Sequence, residues 1–160
     1  SDLKPKPSRR VYIEKSNGKM RPLSIPSFRD KLLQEVVRMF LEAIYEPIFS
    51  DYSHGFRPNR SCHSALKQAK IYFTGAKWFI EGDIKGCFDN INHKVLINIL
   101  ERKIKDSKFI NIIRLFLTAG YVDDFKYNAT YSGCAQGGII SPILANIYLN
   151  ELDKKILEIV

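Results

Sequence analysis

Apolar and polar residues alternate along "VYIEKSNGKMRPLSIP", residues 11–26, on both sides of Asn17-Gly18. Alternation with a period of two is typical of half-buried strands, and Asn-Gly is a strong signal for a tight turn between two of them. This stretch therefore predicts a β-hairpin near the start of the chain.

Helical spacing begins directly after this hairpin. Ser27 and Asp30 form an S-x-x-D capping pattern, and apolar residues recur every three to four positions from 32 to 44 until Pro47 ends the pattern. Three more helices are predicted at 61–74, 93–104 and 108–118, the last two capped by Asn92 and Ser107, and a fourth begins at Ser141-Pro142.

Two further stretches have the composition of short strands. "KWFIEGD", residues 77–83, predicts a buried strand that ends at Asp83, and the turn-rich text from 120 to 134 predicts a second hairpin. Helices segregated from short antiparallel strands indicate an α+β fold.

Composition and charge narrow the class of protein. The chain has 160 residues, 45% of them hydrophobic, which suits one folded core of ordinary size. The net charge is +8, and residues 1–22 hold seven basic and two acidic side chains. A basic arm of this kind favours a polyanionic partner, with a merely solvated tail as the alternative.

Cysteine and histidine positions argue against a disulfide frame or a zinc site. The three cysteines are far apart without a C-x-x-C pair, and no histidine has a second ligand at metal spacing. We expect reduced thiols, an intracellular protein and no membrane span, since no apolar run reaches the ~20 residues that a span needs. The chain starts without methionine and ends on an apolar stripe, so we expect a fragment.

Two stretches carry candidate chemistry. Asp83 closes the predicted strand and precedes a Lys-Gly turn, where a carboxylate can bind a hard divalent cation; a capping or ion-paired aspartate is the alternative. Gln136-Gly137-Gly138 allows close ligand approach before a helix N-terminus that favours anions, and a simple loop is the alternative.

Four blocks of the chain, taken in order, resemble one family. They are "RVYIEKSNGKMRPLSIPSFRDKLLQ", "SHGFRPNRSCHSAL", "GDIKGCFDNINH" and "AQGGIISPILANIYLNELD". They are similar to the early blocks of group II intron-encoded reverse transcriptases, the intron maturases, from about Arg9 onward. Ser24 stands where glycine is usual in the family, and Cys134-Ala135 stands where Thr-Pro is usual.

The resemblance implies a right-hand polymerase, with fingers over residues 1–75 and the first part of the palm over 76–160. Such enzymes join a primer 3′-hydroxyl to a nucleotide through two Mg²⁺ ions held by carboxylates. Asp83 would be the first catalytic carboxylate, and the Ile84 carbonyl would be a further metal ligand. Phe88 would be the steric gate beneath the sugar of the nucleotide, a role compatible with core packing.

The resemblance also places Lys15 and Arg21 on the nucleotide triphosphate. A two-residue turn would pair Lys15 with Met20 and put Arg21 on the other face of the hairpin. A three-residue loop, Asn17 to Lys19, pairs Lys15 with Arg21 and lets both reach one anion. We predict the second register.

Further nucleic-acid contacts follow from the same resemblance. Gln136 would lie against the incoming base pair, with Gly137 beside the nucleic acid. Arg57 would lie against the template strand, and an internal salt bridge is its alternative. The basic arm would bind RNA through Lys4, Lys6, Arg9 and Arg10.

"YVDD", residues 121–124, spells the aspartate pair of reverse transcriptases but precedes the Gln-Gly-Gly block, whereas in the family that pair follows it. We therefore interpret Asp123 and Asp124 as turn residues and expect the remaining metal carboxylates to lie outside this chain. Asp89 is interpreted as structural. The chain by itself is then expected not to polymerise DNA.

The predicted function is that of part of an RNA-directed DNA polymerase that also binds its intron RNA to assist splicing and mobility. Its expected partners are group II intron RNA, an RNA template, a DNA primer, deoxynucleotides and, through uncovered palm surface, a second copy of the chain. The alternatives are a purely RNA-binding maturase module without catalysis and an ordinary basic domain.

Overall fold

The computed structural model describes residues 4–159 and has an α+β fold, as predicted. The first three residues of the predicted fingers and Val160 of the predicted palm lie outside the described residues. The strands are β1 (Ser8–Glu14), β2 (Met20–Ile25), β3 (Tyr121–Asp123) and β4 (Lys126–Asn128). The helices are α1 (Phe28–Tyr45), α2 (Cys62–Tyr72), α3 (His93–Lys103), α4 (Ser107–Thr118) and α5 (Ser141–Ile159).

The four strands form one sheet in the order β2-β1-β3-β4. The two predicted hairpins, β1–β2 and β3–β4, are antiparallel, and β1 joins them by pairing parallel to β3. Ser8 lies opposite Tyr121 in that parallel pair. The sheet therefore brings the start of the chain against a segment more than a hundred residues later.

Helices α1, α3, α4 and α5 supply most of the hydrophobic core, whereas α2 has no buried residue. Leu41, Leu96, Leu100, Ile113 and Leu144 are completely excluded from solvent. These residues lie on the apolar faces that the helical spacing predicts, because a period of about 3.6 places them on one side of each helix. Among the helices of residues 4–159, none is long and apolar enough to cross a bilayer.

One helix cap differs from the sequence-based expectation, and another has an additional contact. Asp106, not Ser107, caps α4, and its carboxylate accepts hydrogen bonds from the backbone of Lys108 and Phe109. Ser27 caps α1 as predicted, but the Asp30 carboxylate accepts from the Ser27 hydroxyl and from the Lys6 backbone N–H. Asp30 thus ties the basic arm to α1.

The predicted strand at 77–83 is wrong. Residues 76–84 are irregular and exposed, with Trp78 at 91% and Ile80 at 101% of full accessibility. A strand is stable only when a neighbour satisfies its backbone N–H and C=O groups, and no other segment within residues 4–159 pairs with this one. The apolar composition of this segment indicates that it is suited to burial. It does not show whether a neighbouring strand is present to form hydrogen bonds with it.

Candidate active site

The loop that carries Gln136 is anchored to three elements of the fold. The Ser24 N–H on β2 donates to the Gln136 carbonyl over 2.6 Å, so the loop adds to the free edge of the sheet. The buried Gln34 side chain on α1 accepts from the Ile139 N–H at 2.8 Å. At the start of α5, the Ser141 hydroxyl donates to the Ala135 carbonyl at 2.7 Å.

Two glycines permit the close backbone contacts of this region. Gly137 has φ of +100°, and a Cβ there would lie 2.6 Å from the Ser24 carbonyl oxygen. A Cβ on Gly133 would lie 2.8 Å from the Asp89 carbonyl oxygen. Side chains rarely tolerate either the conformation or the distance. The close contact with Ser24 therefore explains why residue 137 is a glycine. Its predicted contact with nucleic acid stays a prediction.

The turn that carries Phe88 is bound to the same loop. The Cys134 N–H donates to the Phe88 carbonyl at 2.7 Å, and the Gly133 N–H donates to the Ile91 carbonyl at 2.8 Å. His93 donates from Nε2 to the Gly133 carbonyl at 2.7 Å. Burial raises the pKa of the Cys134 thiol to about 12. The Phe88 turn and the Gln136 loop therefore form one packed unit.

Phe88 packs partly against the hydrophobic core, and its ring meets Phe56 edge to face with centroids 6.5 Å apart. Core packing is thus present, and the predicted steric gate, which is compatible with it, stays a prediction.

Three polar side chains meet where the β1–β2 hairpin approaches this unit. Arg21 Nε donates to Gln136 Oε1 at 3.2 Å, and Gln136 Nε2 donates to Asp89 Oδ2 at 3.4 Å. The sequence selected Arg21 and Gln136 as site residues and indicated a structural Asp89, but it did not predict the contact between Asp89 and Gln136. The available signal was the position of Asp89 directly after Phe88 in the same motif. A cavity of about 330 Å³ adjoins this group and includes Asp89, Gln136 and Arg10 in its lining.

The predicted hairpin register is wrong by two residues. Ile13, not Lys15, lies opposite Arg21, and Lys15 bonds to Lys19 across a loop of three residues, Ser16 to Gly18. Gly18 has φ of +74°, as expected for the left-handed residue of such a loop. Because side chains alternate with a period of two, this shift leaves Lys15 and Arg21 on the same face.

Asp83 and Ile84 lie in the exposed segment before the Phe88 turn. Among the described residues, none donates a hydrogen bond to the Asp83 side chain, and no three His, Cys, Asp or Glu side chains are grouped as a metal site. A carboxylate and a backbone carbonyl are oxygen donors that suit a hard divalent cation. They fit as two of its ligands, and an ion of this kind needs about six.

The acidic pair at Asp123 and Asp124 lies on the β3–β4 hairpin. Asp124 and Phe125 both have positive φ, 45° and 60°, which is the signature of a two-residue type I′ turn. Asp123 Oδ2 accepts from the Tyr12 hydroxyl at 2.5 Å, and this hydrogen bond raises the pKa of Tyr12. Asp123 is thus engaged in holding β3 to β1.

The basic arm is mostly available to solvent. Lys4, Lys6 and Arg9 are exposed, whereas the Arg10 guanidinium lies over the Tyr121 ring at 3.5 Å from its centroid. Arg10 therefore contributes to sheet packing, and its Nε is buried without a hydrogen-bond acceptor among the described residues. The exposed cations are those that could reach a polyanion without rearrangement.

The structure contradicts the predicted template contact of Arg57. Its side chain is only 4% exposed and bonds Glu46 through Nη2 at 2.8 Å and through Nε at 3.1 Å. Nη1 donates to the carbonyls of Ser50 and Ser53 at 2.6 and 2.8 Å. With its donors satisfied inside the protein, Arg57 holds the 50–57 loop, which is the internal salt bridge of the alternative interpretation.

We expect Arg57→Lys to lower the free energy of unfolding by about 2 kcal/mol, because a lysine ammonium cannot reproduce the fork that serves several acceptors at once. Arg60→Lys is the matched control, since Arg60 bonds Asp51, whose side chain is 85% exposed. It should change stability by less than about 0.5 kcal/mol. Urea unfolding measures both, and equal small effects would show that the fork does not stabilise the loop.

Comparisons with known proteins show which family the chain is similar to. A profile of the family described as reverse transcriptase (RNA-dependent DNA polymerase) matches residues 5–160. The chain is 62% identical over 156 residues to the group II intron-encoded protein LtrA of Lactococcus lactis subsp. cremoris, covering 97% of this chain and 26% of that protein. It is 57% identical over 148 residues to the "Uncharacterized 91 kDa protein in cob intron" of Schizosaccharomyces pombe, covering 92% and 18%.

The fold also matches solved structures. A chain of a "Partial Cas6-RT-Cas1--Cas2 complex" superimposes with a TM-score of 0.55 at 21% identity, covering 96% of this chain and 27% of that one. At this identity the match supports the fold alone. The chain spans only 26% of the length of LtrA. The resemblance to group II intron-encoded proteins is confirmed, and the chain belongs to the reverse transcriptase (RNA-dependent DNA polymerase) family.

Proposed function

We propose that this chain forms the fingers and the first part of the palm of a longer RNA-directed DNA polymerase encoded by a group II intron. The observation that carries the proposal is the contact between the two parts. Arg21 and Ser24 of the first hairpin bond the Gln136 loop, which in turn holds the Phe88 turn only five residues after Asp83. Residues proposed for the phosphates and the sugar are thereby linked through one loop, and the residue proposed for the metal lies nearby along the chain.

In this proposal each side chain has a separate task. Lys15 and Arg21, on one face of the hairpin, bind the triphosphate of the incoming deoxynucleotide. Gln136 contacts the incoming base pair and Phe88 excludes a ribose 2′-hydroxyl. Polymerase sites bind the nucleotide in a reactive geometry because the side chains that contact it are already held in position before it binds.

Asp83 and the Ile84 carbonyl would hold Mg²⁺ together with carboxylates supplied by polypeptide beyond this chain. Bound there, Mg²⁺ would stabilise negative charge on the attacking and leaving oxygens. An exposed carboxylate without a hydrogen-bond donor among the described residues is free to take this role.

We also propose that the exposed cations of the arm, Lys4, Lys6 and Arg9, bind group II intron RNA inside the cell. Phosphate contacts from such side chains are sequence-independent and weaken with salt. Binding of RNA phosphates by these side chains does not depend on polymerase activity. An RNA-binding role without polymerisation is therefore the second candidate function.

Primer extension tests the proposal. The full-length protein should extend a DNA primer on an RNA template with Mg²⁺ and deoxynucleotides, and the isolated 160-residue chain should yield no product under the same conditions. RNA binding without extension by the full-length protein would favour the second candidate. Extension by the isolated chain would refute the need for carboxylates from elsewhere.

A further inference from the structure

Asp89 follows Phe88 in a short 3₁₀ turn and contacts the functional end of Gln136. We propose that Asp89 is a positioning residue that fixes the orientation of the Gln136 side-chain amide and, through it, the resting position of Arg21. This inference rests on the proposed function, in which Gln136 and Arg21 bind the incoming deoxynucleotide.

The two ends of the Gln136 side-chain amide differ in hydrogen-bonding chemistry. A glutamine side chain presents a carbonyl oxygen that only accepts and an NH₂ group that only donates, and the two ends have nearly the same shape. Arg21 can only donate, so it requires the oxygen, and the Asp89 carboxylate can only accept, so it requires the NH₂ group. Both contacts therefore demand the same orientation of Gln136.

A flipped amide would lose both contacts at once. The NH₂ group would then face the Arg21 guanidinium and the oxygen would face the Asp89 carboxylate. Without Asp89, the 3.2 Å contact from Arg21 is the only side-chain hydrogen bond within residues 4–159 that distinguishes the two orientations. The carboxylate thus adds a second contact that defines the orientation of the Gln136 side-chain amide.

The backbone holds both partners in place. The Asp89 N–H donates to the Gly86 carbonyl at 3.0 Å, and the adjacent Phe88 carbonyl accepts from Cys134. The Gln136 backbone is held by the hydrogen bond that its carbonyl accepts from the Ser24 N–H. The Asp89 and Gln136 side chains therefore meet between anchored backbones, which is a preorganised arrangement.

The kinetic test uses the full-length protein. Asp89→Ala should raise the KM for the incoming deoxynucleotide about fivefold, as expected for one hydrogen bond, while kcat changes less than about twofold. Asp89→Asn keeps an acceptor oxygen and should recover most of the loss. Asp124→Asn removes the same charge from the exposed turn between β3 and β4 and should leave KM unchanged.

A double-variant cycle separates positioning from a general structural effect. In a Gln136→Ala background, Asp89→Ala should raise KM no further, because the group that it orients is gone. An unchanged KM in Asp89→Ala, or effects that add fully in the double variant, would overturn the proposal.

A second readout does not depend on activity. In the isolated chain, Asp89→Ala should shift the NMR signals of the Gln136 side-chain NH₂ group and speed its exchange with water, whereas Asp124→Asn should not. Unaltered Gln136 signals would overturn the inference even if the enzyme is active. Altered signals in the isolated chain, together with a full-length protein that extends no primer, would instead refute the proposed function and leave the contact established.

Discussion

Gly137→Ala should slow deoxynucleotide incorporation by the full-length protein about 100-fold or more. The added Cβ would lie 2.6 Å from the Ser24 carbonyl, so the Gln136 loop must move away from β2. That motion breaks the Ser24–Gln136 backbone hydrogen bond and separates Gln136 from Arg21. A displacement of about 1 Å in a positioning group can reduce a rate 100-fold.

The control for this variant is Gly75→Ala. Gly75 also has positive φ, +81°, but a Cβ there would meet nothing within 4 Å. Gly75→Ala therefore carries only the backbone strain, which costs roughly 1–2 kcal/mol of stability. Single-turnover incorporation rates compare the two variants at one temperature. A Gly137→Ala enzyme as active as Gly75→Ala would show that the loop does not need its contact with β2.

Helices were the most predictable part of this fold. Their apolar spacing and caps are local signals, and α3 lies within a residue of its predicted limits. The segment at 77–83 shows the opposite case. Its apolar residues indicate burial, but whether a strand forms depends on a hydrogen-bonding neighbour that the local sequence does not contain. Local pattern therefore predicts a helix more securely than a strand.

The site residues were predictable to different degrees for physical reasons. The hairpin register shifted by two, yet the shared face of Lys15 and Arg21 was robust, because only an odd shift exchanges faces. Arg57 was misassigned because its partner Glu46 lies 11 residues away in a separate turn. The contact between Asp89 and Gln136 was not predicted, because it spans 47 residues and follows no periodic pattern.

Asp83→Ala should reduce incorporation by the full-length protein at least about 1,000-fold, the effect of removing several kcal/mol of charge stabilisation from a metal-dependent transition state. Stability should not change, because the side chain lies in the exposed segment before the Phe88 turn and accepts no hydrogen bond from the rest of residues 4–159. A thermal midpoint equal to that of the unaltered protein would check this. Glu81→Ala is the matched control, since Glu81 is an exposed carboxylate in the same segment.

The most direct test of the account is single-turnover addition of one deoxynucleotide to a DNA primer on an RNA template, with saturating Mg²⁺, by Asp83→Ala and Glu81→Ala side by side. The account predicts no detectable product from Asp83→Ala and a rate within about twofold of the unaltered enzyme from Glu81→Ala, since only the first removes a metal ligand. Asp83→Ala activity within tenfold of the unaltered enzyme would contradict it.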